Sequence, residues 1–185
     1  MYCFYTKTTY MSIIPLFHHR WAAPVLAELH RSKGSRFVTL SNRLDLGRES
    51  LRRTLNALME AGLVMKNPGY GHPLRPEYIL TERGKQVAPA CDRLVAALVR
   101  LKANDVGLKK WSMPAVLALA DGECRYSELR KRLPEVTPRA LTLALKDLGA
   151  ADLVERRVTG DYPPGTVYRL KRRAQPLARI LSALT

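Results

Sequence analysis

The chain has 185 residues, 46% of them hydrophobic, which suits one ordinary domain or two small ones. Its 31 Lys and Arg against 16 Asp and Glu give a formal charge of +15, so nucleic acid or an anionic surface is the expected partner. Three scattered cysteines, Cys3, Cys91 and Cys124, show no CxxC and no Cys/His ligand spacing, which argues against a disulfide framework or a bound metal.

The apolar runs break well short of a membrane span and no cleavable signal stands at the start, so a cytoplasmic, nucleoid-associated protein with no membrane partner is expected. The charge is not a tail: residues 1–104 carry 16 basic and 7 acidic side chains, and residues 105–185 carry 15 and 9. A basic surface that is merely solvated is the alternative reading.

In chain order, residues 1–15 lack periodicity and are assigned as an N-terminal arm, with Met11 as a second plausible start. A helix over residues 20–31 begins near Trp21, and Gly34 opens a turn. A short β-prone piece, 36–38, leads into a brief helix ending near Leu44. After Gly47, leucines at 51, 55 and 58 recur at helical spacing. Then come strand-like LVMKN, the turn-rich PGYGHPLRP, the return strand EYILT and a long amphipathic helix over 82–103.

The same order then repeats. A helix over 110–120 begins near Trp111, Gly122 opens the turn, and the piece 125–127 leads to a brief helix ending near Leu133. Thr137 stands as an N-cap, Pro138 takes the favoured first helical position, and Leu141, Leu145 and Leu148 form the stripe. LVERRV, TGDYPPG, TVYRL and an amphipathic helix over 172–184 complete the copy. That last helix suits either a dimer interface or closure of its own domain.

The copies align at a fixed offset. Leu51/Leu141, Leu55/Leu145, Leu58/Leu148, Leu63/Leu153, Val64/Val154 and Tyr78/Tyr168 share it with the two tryptophans, and RFVTLSNRL matches RYSELRKRL once one residue is deleted. Helix, strand, helix, helix, hairpin, helix is the order of the winged helix-turn-helix, whose third helix enters a DNA major groove beside a β-hairpin wing. The expected fold is mainly α with small β-hairpins (α+β), as two tandem winged helix-turn-helix domains: 16–104, which includes the long connecting helix, and 105–185.

If the leucines are core, the opposite helix face carries function. In the first copy that face holds Arg48, Glu49, Arg52, Arg53 and Asn56, residue types that suit base edges and phosphates. Ser50 either binds phosphate or helps cap the helix. The equivalent face in the second copy holds Pro138, Arg139, Thr142, Leu143 and Lys146, following Thr137. Thr142 and Leu143 suit thymine methyl groups or packing against another protein element. The wings offer Lys66, His72 and Arg75 in one copy, and Arg156, Arg157 and Tyr162 in the other. His18–His19 has no third ligand and reads as a polar helix entry rather than a metal site. No catalytic motif or cofactor fingerprint appears, so neither an enzyme nor a bound cofactor is expected.

The second copy resembles the HxlR-type family of bacterial winged-helix transcriptional regulators, related to the MarR-like group. The residues that carry the resemblance are the Lys110–Trp111 opening, DGECRYSEL, TPRALT, ADLVER and the paired prolines before Tyr168. The first copy matches more loosely through RWAAPVLAEL, RFVTLSNRL and EAGLV. The resemblance implies a double-stranded-DNA-binding regulator, usually a homodimer on a dyad operator.

This chain departs from the family pattern in being duplicated. It also lacks the Cys-Pro that many members carry about thirteen residues before the tryptophan, where Thr8 and Leu98 stand here. Thiol sensing is therefore not expected, and Cys91 reads as a core thiol and Cys124 as a turn residue.

A sequence-specific transcriptional regulator is the leading expectation. The arginine-rich first copy would dominate affinity, and two unlike half-sites would lie about 34 Å apart if a pseudo-two-fold axis relates the domains. A plasmid replication initiator or architectural DNA-binding protein, and a tandem winged-helix protein-interaction scaffold, are the alternatives. The regulated genes, the sign of regulation, any small-molecule effector and the assembly on DNA leave no mark in the sequence.

Overall fold

A computed structural model describes residues 15–69, 76–160 and 164–184. The described residues divide into two compact units, one within residues 19–96 and one that joins those from 97 onward to residues 15–18.

In the first unit, α1 (Ala22–Ser32) buries every residue from Ala22 to Leu29 and ends where Lys33 takes a left-handed conformation. Gly34 follows at φ 137°, a backbone state that only glycine adopts without strain. β1 (Ser35–Arg36) leads directly into α2 (Phe37–Leu44), which Asp45 terminates at φ 49°. The β-prone pieces are thus shorter than expected: Phe37 here and Tyr126 in the second unit already stand in the first turn of a helix.

α3 (Arg48–Glu60) carries Leu51, Leu55 and Leu58 on one face, each no more than 3% exposed. Burial of such side chains stabilises by roughly 2 kcal/mol each. Thr54 also lies on that face, its hydroxyl satisfied by donating to the Ser50 carbonyl at 2.8 Å. β2 (Val64–Lys66) and β3 (Glu77–Leu80) complete an antiparallel sheet in the order β1-β3-β2.

α4 (Glu82–Arg100) follows, and the division between the units falls within it. It stops short of the expected residue 103 because the chain reverses at Lys102, φ 52°. The Ala103 N–H returns to the Leu98 carbonyl at 2.9 Å, a closure typical of a helix C-terminus.

The second unit repeats the plan, including the short helix that residues 15–17 form ahead of the first copy. α5 (Asn104–Gly107) precedes α6 (Ser112–Ala118), then come β4 (Cys124–Arg125), α7 (Tyr126–Arg132) and α8 (Pro138–Ala150). β5 (Val154–Val158) and β6 (Thr166–Leu170) form a sheet in the order β4-β6-β5. Register repeats as well: Val64 pairs with Leu80 as Val154 does with Leu170, and Ser35 with Tyr78 as Cys124 does with Tyr168.

A 3₁₀ turn (Arg172–Ala174) opens α9 (Gln175–Ser182), whose Leu177, Ala178 and Leu181 are buried and which packs on α6. The C-terminal helix thus closes its own domain. Residues 15–18 belong to this unit too, with Phe17 3% exposed and the His18 ring meeting Trp111 edge-on at 5.9 Å.

Two differences between the copies have local causes. Gly84, buried in α4, lies so close to β2 that a methyl group there would overlap the Leu63 carbonyl. Its counterpart Ala174 carries that methyl in a tighter 3₁₀ entry turn. One arginine ties the helix-turn-helix to the first helix in both copies, through different acceptors. Arg43 meets the Glu28 carboxylate at 2.6 Å, and Arg132 donates to the Ala118 carbonyl at 2.6 Å.

Candidate nucleic-acid interface

With the leucine stripe turned inward, Arg48, Glu49, Arg52, Arg53 and Asn56 of α3 are all exposed. Glu49 is not an independent contact: its carboxylate meets Arg52 at 3.3 Å and Arg53 at 3.7 Å, holding both guanidinium groups along the helix surface. Ser50, half-buried in the first turn, does not cap the helix, because Gly47 is the N-cap. Having no side chain, Gly47 leaves the first-turn amides of α3 without a side-chain acceptor.

Beside α3 runs a groove lined by Arg36, Phe37, Val38, Thr39, Arg48, Arg52, Pro76 and Tyr78. Burial raises the Tyr78 phenol above its ordinary range, and the Arg52 charge partly offsets that. Tyr78 therefore stays a neutral wall beneath cationic lips. Arg36 and Phe37 were not among the residues expected at the interface, although the alignment of RFVTLSNRL with RYSELRKRL marks both positions.

The equivalent groove of the second unit is lined by Arg125, Tyr126, Ser127, Thr142, Gly165, Thr166 and Tyr168. Here the chemistry differs. The Thr137 hydroxyl accepts the Ala140 N–H at 3.3 Å, so that side chain is a helix cap, and Pro138 beside it has no N–H to offer. The Tyr126 hydroxyl reaches the Pro138 carbonyl at 3.0 Å and the Thr142 hydroxyl at 3.1 Å. Arg139, Thr142 and Lys146 are exposed, and Leu143 is 57% exposed.

On the wings, Lys66 is exposed and Arg156 lies 3.5 Å from the Thr166 hydroxyl. Arg157 donates to both oxygens of Glu123 at 3.0 Å and remains largely exposed. Arg169 similarly pairs with Glu155 at 2.8 Å and pulls that carboxyl below its ordinary range. His72, Arg75 and Tyr162 lie outside the described residues.

Cys124 is not a turn residue: it sits in β4, 1% exposed, with its sulfur 3.4 Å from Glu128. Cys91 is a core thiol on α4. Burial pushes each thiol up to about 12, so both stand protonated and poorly nucleophilic. No group of His, Cys, Asp and Glu that could hold a metal exists among the described residues, and no described helix is long and apolar enough to cross a membrane.

A three-helix core, a β-hairpin and an exposed polar face on the third helix, present twice, define a tandem winged helix-turn-helix protein. The chain belongs to the HxlR-like helix-turn-helix family, whose sequence profile matches residues 16–102 and again 106–185. It is 35% identical over 86 residues to an HTH-type transcriptional regulator of Methanothermobacter thermautotrophicus, covering 46% of this chain and 65% of that one. It is 33% identical over 84 residues to the HTH-type transcriptional regulator YvaP of Bacillus subtilis, covering 45% and 78%.

The chain thus spans just under two thirds of the first relative's length, and each match is about one copy long. Among solved structures, a transcriptional regulator of the MarR family from Porphyromonas gingivalis W83 aligns at TM-score 0.42 and 24% identity, over 45% of this chain and 80% of that one.

Proposed function

We propose that this chain is a sequence-specific double-stranded-DNA-binding transcriptional regulator that carries two recognition helices, α3 and α8, in one polypeptide. One observation carries the reading: three arginines and an asparagine stand exposed on the face of α3 opposite its buried leucines. Arginine forks match guanine O6 and N7, and asparagine matches adenine N6 and N7. The uncapped first turn of α3 and the +15 charge add phosphate affinity that carries no sequence information.

The relatives' names as transcriptional regulators support the same role. Because the matched relatives align over the length of one copy, the duplication supplies within one chain the two helices that a two-part site requires. The two copies would then serve as the two DNA-binding domains, and Lys66, Arg156 and the wing residues His72 and Arg75 would lie along the backbone.

The test is footprinting on a duplex selected from a random pool. A bounded footprint, with Arg52→Ala weakening binding by about tenfold, is expected when one bidentate pairing with a base is removed. A sequence-indifferent coat of the duplex, with Arg52→Ala binding as tightly as the unaltered chain, would sink the reading.

A further inference from the structure

We infer that Thr142 is a specificity-determining residue: its hydroxyl proton is spent within the protein, on Tyr126, so that α8 selects a base bearing an exocyclic amino group. The inference rests on the reading of α8 as a recognition helix and goes on to say what that helix reads.

Counting protons fixes the polarity. The Tyr126 hydroxyl has one proton, and the Pro138 carbonyl 3.0 Å away can only accept. The Thr142 hydroxyl, 3.1 Å from the same oxygen, must therefore donate to Tyr126. Three other hydroxyls in helices of this chain spend their proton on the carbonyl four residues back: Ser32 on Glu28, Thr54 on Ser50 and Ser182 on Ala178. At Thr142 that carbonyl is Pro138, and it receives the tyrosine instead.

With its proton committed, exposed Thr142 presents only lone pairs and a methyl group to a groove. A hydroxyl that only accepts pairs with adenine N6 or cytosine N4, and it repels the acceptors of guanine and the thymine carbonyl.

The first copy has the opposite polarity. Phe37 occupies the Tyr126 position and has no hydroxyl, while Arg52 occupies the Thr142 position and can only donate. The two helices thus carry complementary hydrogen-bond signs at one equivalent site. A donor there favours guanine, and an acceptor favours adenine or cytosine.

The experiment is selection of bound duplexes from a random pool by the full chain, by Tyr126→Phe and by Thr142→Val. Thr142→Val, which keeps the shape and removes the oxygen, identifies the position that Thr142 reads. There the unaltered chain is expected to favour adenine or cytosine on the contacted strand by about tenfold. Tyr126→Phe vacates the Pro138 carbonyl, four residues before Thr142, which then takes the Thr142 proton as in Ser32, Thr54 and Ser182, so the preference should persist in this variant and vanish in Thr142→Val while preferences read by α3 stay unchanged.

A guanine or thymine preference at that position, a lost preference in a Tyr126→Phe variant that melts with the unaltered chain, or a Thr142→Val selection identical at every position each overturns the inference. Should Tyr126→Phe melt well below the unaltered chain, Thr142→Ser decides instead. It keeps the hydroxyl that bonds Tyr126, so the amino-base preference must survive in it and vanish in Thr142→Val. No enriched sequence from the unaltered chain would overturn the DNA reading itself, an outcome distinct from enrichment with the wrong base.

Discussion

At the level of single side chains, Glu49 restrains the cations beside it. Its carboxylate pairs with Arg52 and Arg53, yet all three side chains are well exposed, and such pairs contribute at most about 1 kcal/mol to folding. Removing the acid should therefore act on binding more than on stability. Glu49→Gln is expected to tighten non-specific duplex binding several-fold with a melting temperature within about 2 °C of the unaltered chain, which fluorescence anisotropy and thermal melts would check.

The buried thiols give a second expectation. Cys91 and Cys124 titrate at about 12 in the folded chain against an ordinary 9, so the folded state holds protons that the unfolded state releases above pH 9. Their contribution is complete below pH 9 and disappears as pH rises from 9 toward 12. At pH 10.5 each thiol should lower stability by on the order of 2 kcal/mol relative to pH 8. Urea midpoints for the unaltered chain and for a Cys91→Ala, Cys124→Ala double variant would show it as a steeper alkaline decline in the former.

At the level of elements, caps and close approaches distinguish the copies. Thr137→Ala removes the oxygen that accepts the Ala140 N–H and should cost about 1 kcal/mol. Gly47 has extended φ and ψ of −59° and 143°, and nothing lies within 4 Å of the space a Cβ would fill. Gly47→Ser should therefore stabilise the first domain by a few tenths of a kcal/mol. Gly84→Ala should destabilise it by about 1–3 kcal/mol, because the methyl meets a backbone carbonyl that cannot swing aside. Denaturant titrations of the full chain would order the three variants.

These elements also show what a sequence discloses. The leucines at 51, 55, 58, 141, 145 and 148 set the helices and their inward faces through spacing alone, and Pro138 with Thr137 marks the start of α8. The Tyr126 bond was not legible, because it joins residues 12 and 16 positions apart that meet only after α7 and α8 have packed. The same holds for Arg157, whose ion pair with Glu123 spans 34 positions and sets a carboxylate beside an expected phosphate ligand. Periodicity identifies the face of a helix, and only packing decides which groups on that face are already engaged.

At the level of the whole molecule, one chain carries two copies of a reading module with different chemistry on each. The first displays Arg48, Arg52, Arg53 and Asn56 around an uncapped helix start. The second displays Arg139, Thr142, Leu143 and Lys146 after a capped one. If both helices read DNA as proposed, a single bound chain would need a site with two unlike halves that contribute unequally.

The most direct test is the affinity of matched double variants for one selected duplex across a salt series. Arg52→Ala with Arg53→Ala is predicted to weaken binding at least tenfold more than Arg139→Ala with Lys146→Ala, and to flatten the salt slope by about one for each phosphate left without its cation. Equal weakening from the two copies, or a larger effect from the second, would contradict the account.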